Sequence, residues 1–345
     1  MSSACILSVA GPDLREAEAD LFAEHRPWGV ILMGRSCETR DQVRALVEAI
    51  WRAVGHQCLV FIDQEGGRVA RLKAPEWPVF PAGRVYAQLY GQNADLGCEA
   101  VWLGHRLIAH ELAEMGIYAD CAPVVDIPVE GAHDVIGDRA FGADPIQVAT
   151  LARAALKGLG DGGVAGVIKH IPGHGRSMCD SHLELPRVMA EQSQLDTDFD
   201  AFARVNDAPM AMTAHIAYEA FDPGVAATIS PIMVQEIIRE RIGFDGLLMT
   251  DDLGMQALGG DLSSRADAAI AAGCDMLLHC SGFLKDPDDI LAEMRQVAIA
   301  APELSGRALE RAQCVETMTG RCEPFDVAAG WARLNELLGD VGATA

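Results

Sequence analysis

The sequence predicts an α/β protein, a (β/α)8 barrel in which eight parallel strands alternate with helices, on three observations. Eight short apolar runs recur along the 345 residues, amphipathic segments separate them, and the length suits one large barrel. The runs are "CILSVA" (5–10), "WGVILM" (28–33), "CLVFID" (58–63), "CAPVVDI" (121–127), "VAGVIKH" (164–170), "APMAMTAH" (208–215), "DGLLMTD" (245–251) and "CDMLLH" (274–279). They are rich in Val, Ile, Leu and Met without clean alternation, as strands buried on both faces are.

The intervening helices follow in order. "DQVRALVEAIWRAV" (41–54) follows the second run, "EAVWLGHRLIAHELAEMG" (99–116) the third and "DPIQVATLARAALKGLG" (144–160) the fourth. "SPIMVQEIIRERIG" (230–243) follows the sixth run, with Ser230 placed as N-cap and Pro231 at the first helical position. "RADAAIAAG" (265–273) follows the seventh and, like several others, ends at glycine. Residues 304–340 read as a C-terminal helical appendage. The competing arrangement is a doubly wound open sheet, but the first strand–helix turn, "SVAGPDLREAE", lacks the Gly-x-Gly-x-x-Gly phosphate loop. No Pro/Gly/Ser-rich linker divides the chain.

Composition excludes some partners. A formal charge of −23 argues against nucleic acid, whose backbone needs a basic footprint, and against an anionic membrane surface. The ten cysteines include no Cys-x-x-Cys pair and mostly sit in apolar runs, which reads as reduced, buried thiols. The N-terminus has no basic n-region, and no stretch reaches the roughly 20 apolar residues of a membrane span. A cytoplasmic protein is expected.

In a barrel the reactive residues gather at the C-terminal ends of the strands. Here strand 3 ends in Asp63 and leads to Arg71; "IGDRAFG" after strand 4 carries Arg139; strand 5 ends in Lys169-His170; strand 6 ends in His215; strand 7 ends in Asp251-Asp252. Five charged or titratable strand ends on one rim predict a polar pocket. The densest stretch is "KHIPGHGRSMCDSH" (169–182). His170 and His174 have the spacing of a helical metal pair, but Pro172-Gly173 between them breaks a helix, so they share no helical face. "PGHG" lacks the Gly-Lys-Ser/Thr ending of a phosphate loop. Asp180 and His182, two apart, suit a carboxylate–imidazole hydrogen bond that orients the ring and favours its protonated form, which is an acid/base device.

These residues carry a family resemblance. "KHIPGHGRSMCDSH" resembles the Lys-His-Phe-Pro-Gly-His-Gly…Asp-Ser-His signature of glycoside hydrolase family 3 β-N-acetylglucosaminidases, and "GFDGLLMTDDLGM" (243–255) resembles their nucleophile strand. "IDQEGGRVARL" (62–72), "IGDRAFG" (136–142) and "MTAHIAY" (212–218) resemble further blocks in order, so the likeness runs from about residue 5 to 325. Ile171 stands where Phe is usual and Thr250 where Ser is usual. The resemblance implies a single N-terminal-type TIM-barrel catalytic domain over 1–345. It implies a retaining mechanism with Asp251 as nucleophile, His182 as general acid/base and Asp180 as its partner. It also implies that Asp63, Arg71, Arg139, Lys169 and His170 bind the sugar, while His174 and His215 receive no direct role. The implied substrate is N-acetylglucosamine β-1,4-linked to 1,6-anhydro-N-acetylmuramic acid, with or without peptide, cleaved in peptidoglycan recycling by a monomer that needs no cofactor. Two readings stand beside it: a metal-dependent barrel hydrolase built on the histidines, and a sugar-binding protein without turnover. Asp251-Asp252 also raises a substrate-assisted mechanism, in which the acetamido group attacks and an acidic pair assists.

Overall fold

The computed structural model describes residues 2–179 and 184–339. Within them eight parallel strands close into a barrel: β1 (Ser3–Leu7), β2 (Pro27–Leu32), β3 (Leu59–Ile62), β4 (Ala119–Asp120), β5 (Ala165–Ile171), β6 (Met210–Thr213), β7 (Leu247–Asp252) and β8 (Met276–His279). Each strand pairs with the next in the chain, and β1 pairs with both β2 and β8, which leaves no edge. Registers such as Ile31↔Phe61 and Lys169↔Met212 bring the strand ends to one rim. Side chains of Ile6, Phe61, Ala119, Val167, Met210 and Met249 fill the barrel, and all are buried. Val60, Ile168 and Leu248 belong instead to the larger cluster between barrel and helices. Strands buried on both faces are therefore why the eight runs lack alternation.

The helices form the outer layer: α1 (Glu16–His25), α2 (Arg40–Val54), α3 (Gly83–Gln92), α4 (Ala94–Ala113), α5 (Pro145–Asp161), α6 (Gln192–Ala203), α7 (Ile232–Arg241), α8 (Leu262–Ala272) and α9 (Pro287–Ala300). α2 shows why its ends lie where they do. Thr39 accepts from Gln42 N at the start, and Gly55 takes a left-handed φ of 88° at the stop. Ser230 Oγ accepts the Met233 N–H at 3.1 Å ahead of α7, the N-cap expected there, although α7 continues as a wide π-helix. No helix among the described residues is long and apolar enough to cross a membrane.

Two expectations are refined. The fourth run, read as a strand over 121–127, forms a ladder only at Ala119–Asp120. Pro123 has no N–H to give to a ladder. The run nevertheless follows β5 irregularly: Val167 N donates to Ala122 O, and Val125 N donates to Lys169 O. The C-terminal helices α10 (Gly306–Met318) and α11 (Val327–Leu338) are more than an appendage. Ala312 and Val315 of α10 pack into the barrel-interior cluster, and Glu316 accepts from Trp28 Nε1 at 2.7 Å. Arg311 reaches Asp275, the residue before β8, at 2.9 Å. α10 thus closes the floor of the barrel, opposite the rim that carries the charged strand ends.

Candidate active site

The charged rim encloses a pocket of about 430 Å3, lined among others by Asp63, Arg71, Arg139, Lys169, His170 and Asp251. Six residues that the sequence places at strand ends or in the segments that follow them thus meet in one cavity. Asp180 and His182 lie outside the described residues.

One wall is an alternating chain of charges. Arg71 and Lys169 each reach Asp63 at 2.9 Å, and Lys169 also reaches Glu65 at 2.7 Å. Arg139 grips Glu65 with two parallel bonds of 2.8 Å, the planar fork geometry that arginine supplies. Burial works against the charge on Glu65, but Arg139 and Lys169 outweigh it and lower its pKa to about 2. Burial likewise opposes the charge on Lys169, yet the two carboxylates hold its pKa well above the ordinary lysine value. Three cations share two carboxylates in this wall. It is a fixed array of donors whose charge does not vary near neutrality, suited to hydroxyl and carbonyl oxygens.

Glu65 was not among the expected residues. It sits on a small hairpin (Gln64–Gly66 with Val69–Ala70) that turns through Gly66 and Gly67, both at positive φ. Gln64 pins that hairpin: its Oε1 accepts from Arg71 N and Leu72 N, both at 3.0 Å, and its own N donates to the buried Asp120 at 2.9 Å. The signal in the sequence was the acidic residue inside "DQEGGR", where a two-glycine turn brings a carboxylate back to the rim.

Asp126 is the second residue missed. Its carboxylate, fully buried, accepts His170 Nδ1–H at 2.7 Å, His170 N at 3.1 Å and His174 N at 2.6 Å. Burial opposes its charge, and His170 and these bonds nonetheless hold its pKa below the usual carboxylate value. The His170 ring is thereby fixed in tautomer and direction beside the pocket. The rings of His170 and His174 lie 5.4 Å apart, so the two come together in space after all. Burial pulls the His174 pKa down to about 4, which makes that ring neutral. No group of three or more His, Cys, Asp or Glu among the described residues is placed to hold a metal ion.

The opposite wall is the end of β7. Asp251 lines the pocket, and its Oδ1 accepts the Asp252 N–H at 2.7 Å. Asp252 lines the pocket too, but its Oδ1 accepts Gly254 N and Cys280 N, each at 2.9 Å, and braces β7 against β8. His215 is fully buried, with Nε2 3.0 Å from the Asp252 carbonyl oxygen and Nδ1 2.7 Å from Thr228 Oγ1. Apolar side chains of Ile31, Met33, Met212 and Leu278 complete the pocket.

Comparison with known proteins shows the family. A family model described as the glycosyl hydrolase family 3 N terminal domain matches residues 6–312. A beta-hexosaminidase of Alkalilimnicola ehrlichii is 39% identical over 311 residues, which cover 85% of this chain and 87% of that protein. One of Bordetella avium is 37% identical over 283 residues, 80% of each chain. Among solved structures, NagZ from Neisseria gonorrhoeae in complex with N-trifluoroacetyl-D-glucosamine shares the fold with a TM-score of 0.80 and 29% identity, across 98% of both chains. The chain belongs to glycosyl hydrolase family 3, as a glycoside hydrolase of the β-N-acetylhexosaminidase type.

Proposed function

We propose that this chain is a retaining exo-β-N-acetylglucosaminidase. The observation that carries the reading is Asp251, a carboxylate on a rigid strand end that faces, across a pocket with room for a sugar ring, the array of Arg71, Asp63, Lys169 and Arg139. In the first step an Asp251 oxygen attacks the anomeric carbon. The bond to the leaving oxygen breaks, and His182 gives that oxygen its proton. In the second step water attacks the same carbon, His182 takes the water's proton, and the bond to Asp251 breaks. Asp180 orients His182. Asp63, Arg71, Arg139, Lys169 and His170 hold the sugar, and Asp126 supports His170 from behind. One Asp252 oxygen is committed to two backbone donors, which speaks against Asp252 as the assisting acid of a substrate-assisted route, although it lines the same pocket.

The substrate proposed is N-acetylglucosamine β-1,4-linked to 1,6-anhydro-N-acetylmuramic acid, with or without its peptide, cleaved in cytoplasmic peptidoglycan recycling by one catalytic domain acting as a monomer without a cofactor. A relative that bears an N-acylglucosamine analogue supports the sugar. The test is hydrolysis of a chromogenic β-N-acetylglucosaminide. Asp251→Asn is expected to lose about a thousandfold or more in kcat. His182→Ala is expected to lose much less with an activated leaving group, which hardly needs protonation. Full activity in Asp251→Asn refutes the nucleophile. Activity lost to a chelator and restored by a divalent ion favours the metal-dependent reading, and binding without turnover in the wild type favours the sugar-binding one.

A further inference from the structure

His215 has no assigned role, yet its surroundings are unusually specific. The Asp252 carbonyl can only accept, so the His215 Nε2 that lies 3.0 Å from it carries the hydrogen. Nδ1 faces the Thr228 hydroxyl at 2.7 Å, and Thr228 Oγ1 in turn lies 2.8 Å from Thr213 Oγ1 at the end of β6. Burial pulls the ring's pKa down, against the opposing pull of the Asp251 and Asp252 charges; with the hydrogen on Nε2, Nδ1 is left to accept the Thr228 hydroxyl at 2.7 Å, a shorter contact than that hydroxyl makes to the Ala214 carbonyl oxygen at 3.2 Å. The ring is thus locked in one tautomer by a hydroxyl chain that starts on the neighbouring strand.

What it holds is residue 252. That residue is fixed on three sides: its carbonyl by His215 Nε2 and by Met255 N at 3.0 Å, its carboxylate by Gly254 N and Cys280 N, and its own N–H by the bond it gives to Asp251 Oδ1. The last contact aims the Asp251 carboxylate. We propose that His215 is a positioning residue for attack on the anomeric carbon: through its Nε2–H bond to the Asp252 carbonyl it sets where the Asp251 carboxylate stands, and so governs kcat rather than substrate binding. The inference rests on Asp251 being the nucleophile. An attacking oxygen displaced by about 1 Å costs on the order of a hundredfold in rate, while the contacts that bind the sugar, on the opposite wall, are untouched.

The test uses the full chain, a chromogenic β-N-acetylglucosaminide and a fluorinated sugar that traps the glycosyl-enzyme. His215→Phe keeps a ring and removes the donor; His215→Gln places an amide N–H where Nε2 stands; Thr228→Val removes the hydroxyl that fixes the tautomer. His215→Phe is expected to lose about a hundredfold in kcat with KM changed by less than about threefold. His215→Gln should recover to within about tenfold of wild type, and Thr228→Val should fall between. Trapping should slow in proportion to kcat. Wild-type kcat in His215→Phe overturns the proposal, as does a loss confined to KM, or a His215→Gln variant as impaired as His215→Phe. If His215→Phe does not fold, Thr228→Val decides: wild-type kcat there overturns the role. Mapping the wild-type adduct separates this from the reading beneath it. Label on another residue refutes Asp251 itself, whereas label on Asp251 with an unimpaired His215→Phe refutes only the positioning role.

Discussion

At the residue scale, the site is governed by buried and half-buried carboxylates. Asp126 is the clearest. It satisfies one imidazole N–H and two backbone N–H groups, all buried, and an amide in its place can accept on only one atom. Asp126→Asn is therefore expected to cost about 1–3 kcal/mol of stability from donors left without a partner. It should also reduce kcat/KM by roughly tenfold or more, because His170 loses the bond that directs it. Urea unfolding and steady-state kinetics on one preparation check both; an unchanged kcat/KM removes His170 from sugar binding. Asp63, Arg71, Arg139, Lys169, His170 and Asp251 were legible in the sequence because a barrel sends the polar end of each strand to one rim. Asp126 was not, because it lies in "CAPVVDI" and reads there as part of a strand. Glu65 was not, because the one signal for it, an acidic residue ahead of the two glycines in "DQEGGR", is shared by solvated glutamates in ordinary turns.

At the element scale, the broken helix of "PGHG" turns out to be a close contact. A Cβ on Gly175 would lie 1.8 Å from the Ile127 carbonyl oxygen, a backbone atom that no rotamer change can move. The contact seats the loop: Val129 N donates to Gly175 O, and His133 N donates to Ser177 O at 2.8 Å. Gly175→Ala must push residues 174–177 off the segment after β4. It is expected to lower kcat/KM by about a hundredfold through misplacement, out of proportion to the change in its unfolding midpoint. A variant with full activity shows that the seat does not matter. The elements themselves were readable because core patterning is local. Seven runs match their strands to within a few residues. The fourth failed at its boundary, since Pro123 removes the donor that a ladder needs while the apolar side chains around it still pack as a strand's would. The role of α10 was hidden for a different reason. Its buried positions, Ala312 and Val315, are few, and the surface they cover is formed by the whole barrel.

At the scale of the whole molecule, function and stability occupy opposite ends. The rim carries the charged pocket, while α10 closes the floor through Trp28–Glu316 and Arg311–Asp275. The buried titratable groups set the pH range in which this arrangement holds. Burial raises the pKa of Asp120 to about 7, so its contribution is present at acid pH and is lost as pH rises from the ordinary carboxylate range through 7. On the acid side His105, fully buried in α4 with Nδ1 2.9 Å from the Val101 carbonyl, is lowered by burial from 6.5 to about 4. Its contribution is present above pH 6.5 and is lost as pH falls through 4, where the buried ring must take up a charge. The Glu65 contribution follows lower still, on the way from 4.5 to about 2. His105→Leu removes the first of these titrations while keeping an apolar side chain of similar size beside Tyr86 and Phe141. Above pH 7 the stabilities of variant and wild type should run parallel. Between pH 6.5 and 4 the wild type should fall more steeply, and by pH 3 the variant should have gained about 3 kcal/mol on it. The general effect of titrating a chain of net charge −23 is shared by both proteins and cancels in the difference. Urea midpoints at half-unit pH steps measure that difference directly, and two curves that stay parallel down to pH 4 rule out His105 as the acid-sensitive group.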